Sequence, residues 1–115
     1  MHTVTYDVFD VVVVPFPFTD RSATRRRPAL VLSRARALGE PPGRSVLAMI
    51  TSADNPGWPL DVPVRGQAAA GLPSPSVVRM KLFTLDNGLI LRKAGRLGRA
   101  DQQQVRESLR ALLPV

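Results

Sequence analysis

The chain has 115 residues, 44% apolar and 5% aromatic, and its 16 Lys+Arg against 9 Asp+Glu give a net charge of +7. That is the length of one domain, expected to span 1–115, with a modest aliphatic core and a charge that favours a polyanionic partner. Cysteine is absent and the single histidine, His2, sits at a terminus prone to fray, which argues against disulfides, thiolate chemistry, metal sites and the usual imidazole proton shuttle.

In chain order, residues 11–14 form a β-branched run stopped by Pro15, and 29–32 and 46–50 are two more apolar runs. Residues 60–64 alternate around Asp61 and Pro63 and predict an edge strand, because proline cannot donate to a ladder. Residues 76–80 and 89–91 complete the set. The stretches 37–44 and 65–75 are rich in turn formers and read as loops. Short β runs punctuated by Pro and Gly argue for a sandwich or barrel rather than βαβ units. From 101 to 113 the apolar positions Val105, Leu109, Leu112 and Leu113 mark one helical face, expected to be spent on the core. Asp101 and Gln104 have the spacing of a capping box, Arg106 and Arg110 are expected to face water, and Pro114 ends the pattern. The fold class is therefore mainly β, a small barrel with a C-terminal amphipathic helix. No apolar run is long enough to span a bilayer, and a basic-then-apolar leader is lacking. The expectation is a soluble, cytoplasmic protein with no membrane contact, no metal and no cofactor.

All basic residues except Lys81 and Lys93 are arginines. A compositional bias explains that; so does phosphate recognition, in which a planar guanidinium grips two oxygens at once. The segment 16–26 reads as an eleven-residue loop, long for a hairpin, carrying Phe16, Phe18, Arg21, Arg25 and Arg26. Rings beside guanidinium groups can stack bases and hold phosphates; Phe16 is assigned to pinning the loop, while Phe18 fits stacking and pinning equally. Arg27 precedes Pro28, so its backbone is restricted to an extended conformation at the mouth of the second strand. The third strand runs into "LAMITSADN", placing Thr51 and Ser52 where a strand opens into a loop, either as ordinary turn caps or as site hydroxyls. An antiparallel pairing of these two strands would bring Arg27 and Thr51 to one barrel edge. Arg79 and Lys81 share a strand face that suits phosphate or simply solvent. Trp58, in "NPGWP", reads as a loop anchor in preference to a base platform.

Taken together, "DVVVVPFPFTDRSATRRRPALVLS", "VLAMITS" and "GLPSPSVVRMKLFTLDNGLILRKAGRL" closely resemble the MazF/PemK toxin family of bacterial type II toxin–antitoxin modules, over roughly residues 10–113. The resemblance implies an SH3-like barrel of the CcdB/Kid/MazF kind, forming a symmetric homodimer. It implies a ribosome-independent endoribonuclease (an mRNA interferase) that cuts single-stranded RNA without metal and is neutralised by an acidic antitoxin. Arg27 and Thr51 take the family's catalytic positions. Phe18, Arg25, Arg26, Ser52, Arg79 and Lys81 are the expected RNA contacts. Two positions depart from the pattern: Phe9 stands where many relatives have glycine, and Lys81 where some have an acid, so the implied chemistry rests on Arg27 and Thr51. A topoisomerase-poisoning toxin of the same fold and a catalytically silent nucleic-acid-binding barrel are the alternatives.

Overall fold

The computed structural model describes residues 5–17, 25–38 and 43–114. Within them, six strands form one curled antiparallel sheet: β1 (Asp10–Phe16), β2 (Arg25–Val31), β3 (Arg44–Ser52), β4 (Val62–Pro63), β5 (Ser76–Asp86) and β6 (Arg92–Arg96), in the order β4-β5-β3-β2-β1-β6. A four-residue helix, α1 (Ala35–Leu38), follows β2, and α2 (Arg99–Leu112) closes the chain against β4 and β5. Between the free edges of β4 and β6, the amide of Arg96 donates to Ala69 O at 3.0 Å. Gly71 (φ 69°) packs there on the backbone of Ala94, where any side chain would collide with the Ala94 carbonyl.

Both faces of the sheet are covered, which is why β1 reads as an unbroken Val run rather than an alternation. Val11, Leu30, Ala48, Ile50 and Val78 point to one side, with Leu97 and the α2 residue Val105. Val12, Val14, Ala29, Val31 and Leu47 point to the other, with Tyr6 and Ile90. The period of two and the register Val11↔Leu30, Leu30↔Ala48 fix these two sets. Phe9 has a left-handed backbone (φ 72°) and a buried ring under the Arg106 guanidinium at 4.8 Å. The backbone costs about 1–2 kcal/mol without glycine, and burying a Phe returns about 1.5–3 kcal/mol, so the ring is tolerated at a backbone conformation that favours glycine.

Several elements differ from the sequence expectation. β2 begins at Arg25, through the arginines, so Pro28 lies inside the strand rather than at its start, and the segment 16–26 is partly strand. The last strand is β6, not 89–91; residues Asn87–Leu89 form a 3₁₀ turn instead. The β6 sequence RKAGR has no apolar alternation to betray it, and it is recruited by the open edge of β1 across a bulge at Val11/Val12. The helix starts two residues early with Gly98 as N-cap and no side-chain cap bond. Asp101 is instead buried and accepts the amides of Arg65 (3.1 Å) and Gly66 (2.8 Å), so its carboxylate ties the segment after β4 to the first turn of α2. Val105 and Leu109 pack on the core, whereas Leu112 and Leu113 remain exposed.

Candidate nucleic-acid interface

Pro28 sets the position of the site. It has no N–H to give β3, and the β2–β3 ladder runs only through Ala29↔Met49, Leu30↔Ala48 and Val31↔Leu47. Ahead of Ala29 the strands part. The gap is a groove of about 480 Å³ lined by Arg25, Arg26, Arg27 and Pro28 on one bank, Ile50, Thr51 and Ser52 on the other, and Pro73, Ser74 and Ser76 at the end. Cross-strand partners point to the same side of a sheet. With Ala29 opposite Met49, Arg27 and Thr51, each two residues further along its strand, stand on one face across the gap.

The Arg27 guanidinium carbon lies 4.9 Å from the centroid of the Phe16 ring. The two are diagonal neighbours on one face, because Val14 pairs with Arg27 and Phe16 with Arg25. A ring face under a guanidinium contributes about 0.5–1 kcal/mol at exposed sites and restricts the side chain without using any of its N–H donors. The Arg27 Nε is buried and, among the described residues, has no hydrogen-bond partner. A donor so placed carries the desolvation cost of an unmade bond until an acceptor arrives. Arg25 and Arg26 are exposed, and among the described residues none of the three groove arginines is ion-paired. The acidic residues that do pair hold Arg44, Arg79, Lys93 and Arg96 elsewhere.

On the opposite bank, Asn55 Nδ2 donates to Thr51 Oγ1 at 2.6 Å. The Thr51 hydroxyl thereby has an acceptor lone pair occupied and its own proton free to give. Ser52 Oγ accepts the amide of Asp54 at 3.2 Å, a local turn bond of the kind expected of a hydroxyl at a strand end. A second cleft of about 220 Å³ shares Arg26, Arg27, Pro28 and Pro73 with the groove and adds Arg92 from β6. Arg92 is exposed and, among the described residues, unpaired, while the next cations along, Lys93 and Arg96, are neutralised by Asp10 at 3.1 and 3.0 Å.

The sequence-predicted residues therefore divide. Arg25, Arg26, Arg27, Thr51 and Ser52 line one groove. Arg79 and Lys81 do not line it. The Nε and Nη2 of Arg79 donate to the two carboxylate oxygens of Asp61 at 3.2 and 2.9 Å, and Nη2 also donates to Pro56 O at 2.7 Å. Hydrogen bonding to Asp61 raises the Arg79 pKa above the ordinary arginine value. Lys81 Nζ sits 4.3 Å from the centroid of the half-exposed Trp58 ring. Phe18 and Arg21 lie outside the described residues. Among the described residues no cluster of three or more His, Cys, Asp or Glu side chains is placed to hold a metal ion, and no helix is long and apolar enough to cross a membrane. Sequence reading gave Asn55 and Arg92 no role and named Asp61 only as part of an edge strand. Asp61 was the most discoverable of them, an acid inside an apolar alternation of a basic chain.

Residues 7–113 match the sequence pattern of PemK-like, MazF-like toxins of type II toxin–antitoxin systems. No curated protein sequence matches the chain. Among solved structures, a MazF from Deinococcus radiodurans superposes with a TM-score of 0.72 at 25% identity, covering 97% of this chain and 99% of that one. The Mycobacterium tuberculosis toxin MazF-mt6 gives 0.71 at 22% identity, covering 92% and 97%. An endoribonuclease in complex with its cognate antitoxin, from a mycobacterial species, gives 0.74 at 14% identity and 96% of each chain. With the pattern matching nearly its whole length on the same curled sheet, the chain belongs to the PemK-like, MazF-like toxin family of type II toxin–antitoxin systems.

Proposed function

We propose that the protein is an endoribonuclease that cuts single-stranded RNA without ribosome or metal, and that Arg27 and Thr51 are its catalytic residues. The observation that carries this reading is the groove itself: an arginine propped on Phe16 with a buried, unsatisfied Nε, facing a hydroxyl whose proton is free. A phosphodiester entering the gap supplies an acceptor for the Thr51 hydroxyl and a counter-charge for the Arg27 guanidinium.

In the reaction, the ribose 2′-oxygen forms a bond to the adjacent phosphorus and loses its proton to solvent. The bond from phosphorus to the 5′-oxygen breaks, and that oxygen takes a proton from solvent. The products are a 2′,3′-cyclic phosphate and a 5′-OH end. Arg27 acts by charge, holding the crowded phosphorane oxygens; a guanidinium is too weak an acid to serve well as proton donor near neutrality. Thr51 donates to a nonbridging oxygen of the same phosphate. Arg25, Arg26 and Ser52 hold flanking nucleotides, and the adjoining cleft with Arg92 extends the cationic path. The protein works in the cytoplasm as a homodimer and is silenced by an acidic antitoxin that competes for the same charge. The cognate antitoxin bound to the mycobacterial endoribonuclease supports that partner class.

The experiment is incubation of purified protein with an oligoribonucleotide and with its all-DNA counterpart, no other protein present. The RNA is cut and the DNA survives, since only RNA offers the 2′-OH. Binding without cutting would favour a silent nucleic-acid-binding barrel. Intact RNA together with trapped topoisomerase–DNA complexes would favour the topoisomerase poison.

A further inference from the structure

The resemblance to MazF and PemK toxins makes Arg79 a contact for RNA, yet its Nε and Nη2 donors are already taken. Its fork grips the Asp61 carboxylate, its Nη2 is shared with Pro56 O, and both charged side chains are largely buried, 12% and 16% exposed. Two residues on along the strand stands Lys81, and the carboxylate that pairs with Arg79 comes instead from Asp61, at the far end of a loop.

That loop, residues 53–61, starts at the site. Its first residues are tied to Ser52, through Asp54 N to Ser52 Oγ at 3.2 Å and Asn55 N to Ser52 O at 3.1 Å. Asn55 then turns its amide back to Thr51 Oγ1. The next residue, Pro56, is the one whose carbonyl Arg79 holds. The far end is fixed by Asp61, which accepts the amide of Trp58 at 3.0 Å and returns its own amide to Trp58 O at 3.2 Å. Lys81 then rests against the Trp58 ring. A hydroxyl has three staggered rotamers at χ1 and a free proton rotor. Asn55 selects among them only if its own backbone is fixed, and Asn55 is exposed, with no burial of its own to fix it.

We propose that Asp61 and Arg79 are positioning residues: their ion pair clamps the 53–61 loop so that Asn55 holds the Thr51 hydroxyl with its proton toward the groove. This rests on the nuclease reading above. The clamp depends on a two-pronged contact to a carboxylate, which a lysine cannot reproduce. Loosening it shifts Asn55, and a small misplacement in a reacting array costs up to about a hundredfold in rate.

The test is single-turnover cleavage of an oligoribonucleotide by wild type, Asn55→Ala, Asp61→Asn and the double variant, with thermal unfolding recorded for each. Each single change lowers kcat about tenfold or more and leaves KM within about twofold, because an interaction made at the reacting phosphate is lost rather than ground-state binding. The double variant is no slower than the slower single, since both changes remove the same orientation. Trp58 is the only tryptophan, so acrylamide quenching of its fluorescence reads the loop directly: quenching rises in Asp61→Asn and stays at the wild-type value in Asn55→Ala. If Asp61→Asn unfolds, Arg79→Lys, which keeps the charge and loses the fork, replaces it with the same expectations. Losses that multiply in the double variant, or a folded clamp variant that cuts as fast as wild type, overturn the proposal. A wild type that leaves RNA intact overturns the nuclease reading and this role with it, whereas a cutting wild type with indifferent variants sinks the clamp alone.

Discussion

Arg27 is prepared for an anion before one arrives. Among the described residues its buried Nε has no acceptor, its guanidinium lies on the Phe16 ring, and no carboxylate competes for it. Lysine at this position keeps the charge but lacks the fork and the flat surface that stacks on Phe16. Arg27→Lys should therefore lose about 10²–10³ in kcat, the usual scale for one missing transition-state donor, with an unchanged thermal midpoint. Activity within a few-fold of wild type would show that a point charge is enough. Much of this residue's setting was legible beforehand. The sequence Arg27–Pro28 forces an extended backbone, and the strand-to-loop change after Ile50 flags Thr51. The Phe16 contact was not legible, because it depends on β1 and β2 running on as far as Phe16 and Arg25. Three arginines in a row look like loop until pairing with a neighbour makes them strand.

At the scale of elements, proline and aspartate do what apolar patterning cannot. Pro28 ends the β2–β3 ladder and so opens the groove. Asp101 was expected to cap α2 by its spacing from Gln104; it is buried and holds two loop amides instead. Capping-box spacing is a local signal, and a long-range demand overrode it, since the amides of Arg65 and Gly66 need acceptors once that segment is packed on the helix. Asp101→Asn keeps the shape but weakens both bonds, and replacing a buried charged acceptor costs about 1–3 kcal/mol. In a chain of this size each kcal/mol lowers the melting temperature by about 4–8 °C, a loss read by thermal unfolding, with cleavage at 25 °C preserved. A melting point within a degree of wild type would mean the carboxylate is dispensable. The β6 strand was missed for a related reason: its backbone bonds to β1 define it, and RKAGR carries no alternating pattern to announce them.

The whole molecule carries its net charge of +7 unevenly. Asp10, Asp61 and Asp86 neutralise cations away from the site, while among the described residues Arg25, Arg26, Arg27 and Arg92 stay unpaired along two joined clefts. A single strand tracking both clefts displaces one counterion set per phosphate held. Arg92→Gln should weaken RNA binding and flatten the plot of log affinity against log salt by about 0.7, the value for one phosphate contact on a single strand. An unaltered slope would place Arg92 off the path. The fold class and both catalytic candidates could be read from residue order, because β runs, prolines and the Arg–Pro and Thr–Ser pairs are local. The division between groove cations and neutralised ones could not, because it is decided by which acids the fold brings alongside. If Arg27 and Thr51 cleave RNA by directing its own 2′-OH onto phosphorus, the ends of the products carry the signature. Purified protein and its Arg27→Ala variant are incubated with mixed-sequence RNA in excess chelator, and the fragment termini are identified. The prediction is 2′,3′-cyclic phosphate and 5′-OH ends from the wild type and intact RNA from the folded variant; 5′-phosphate ends, or equal cutting by Arg27→Ala, would contradict it.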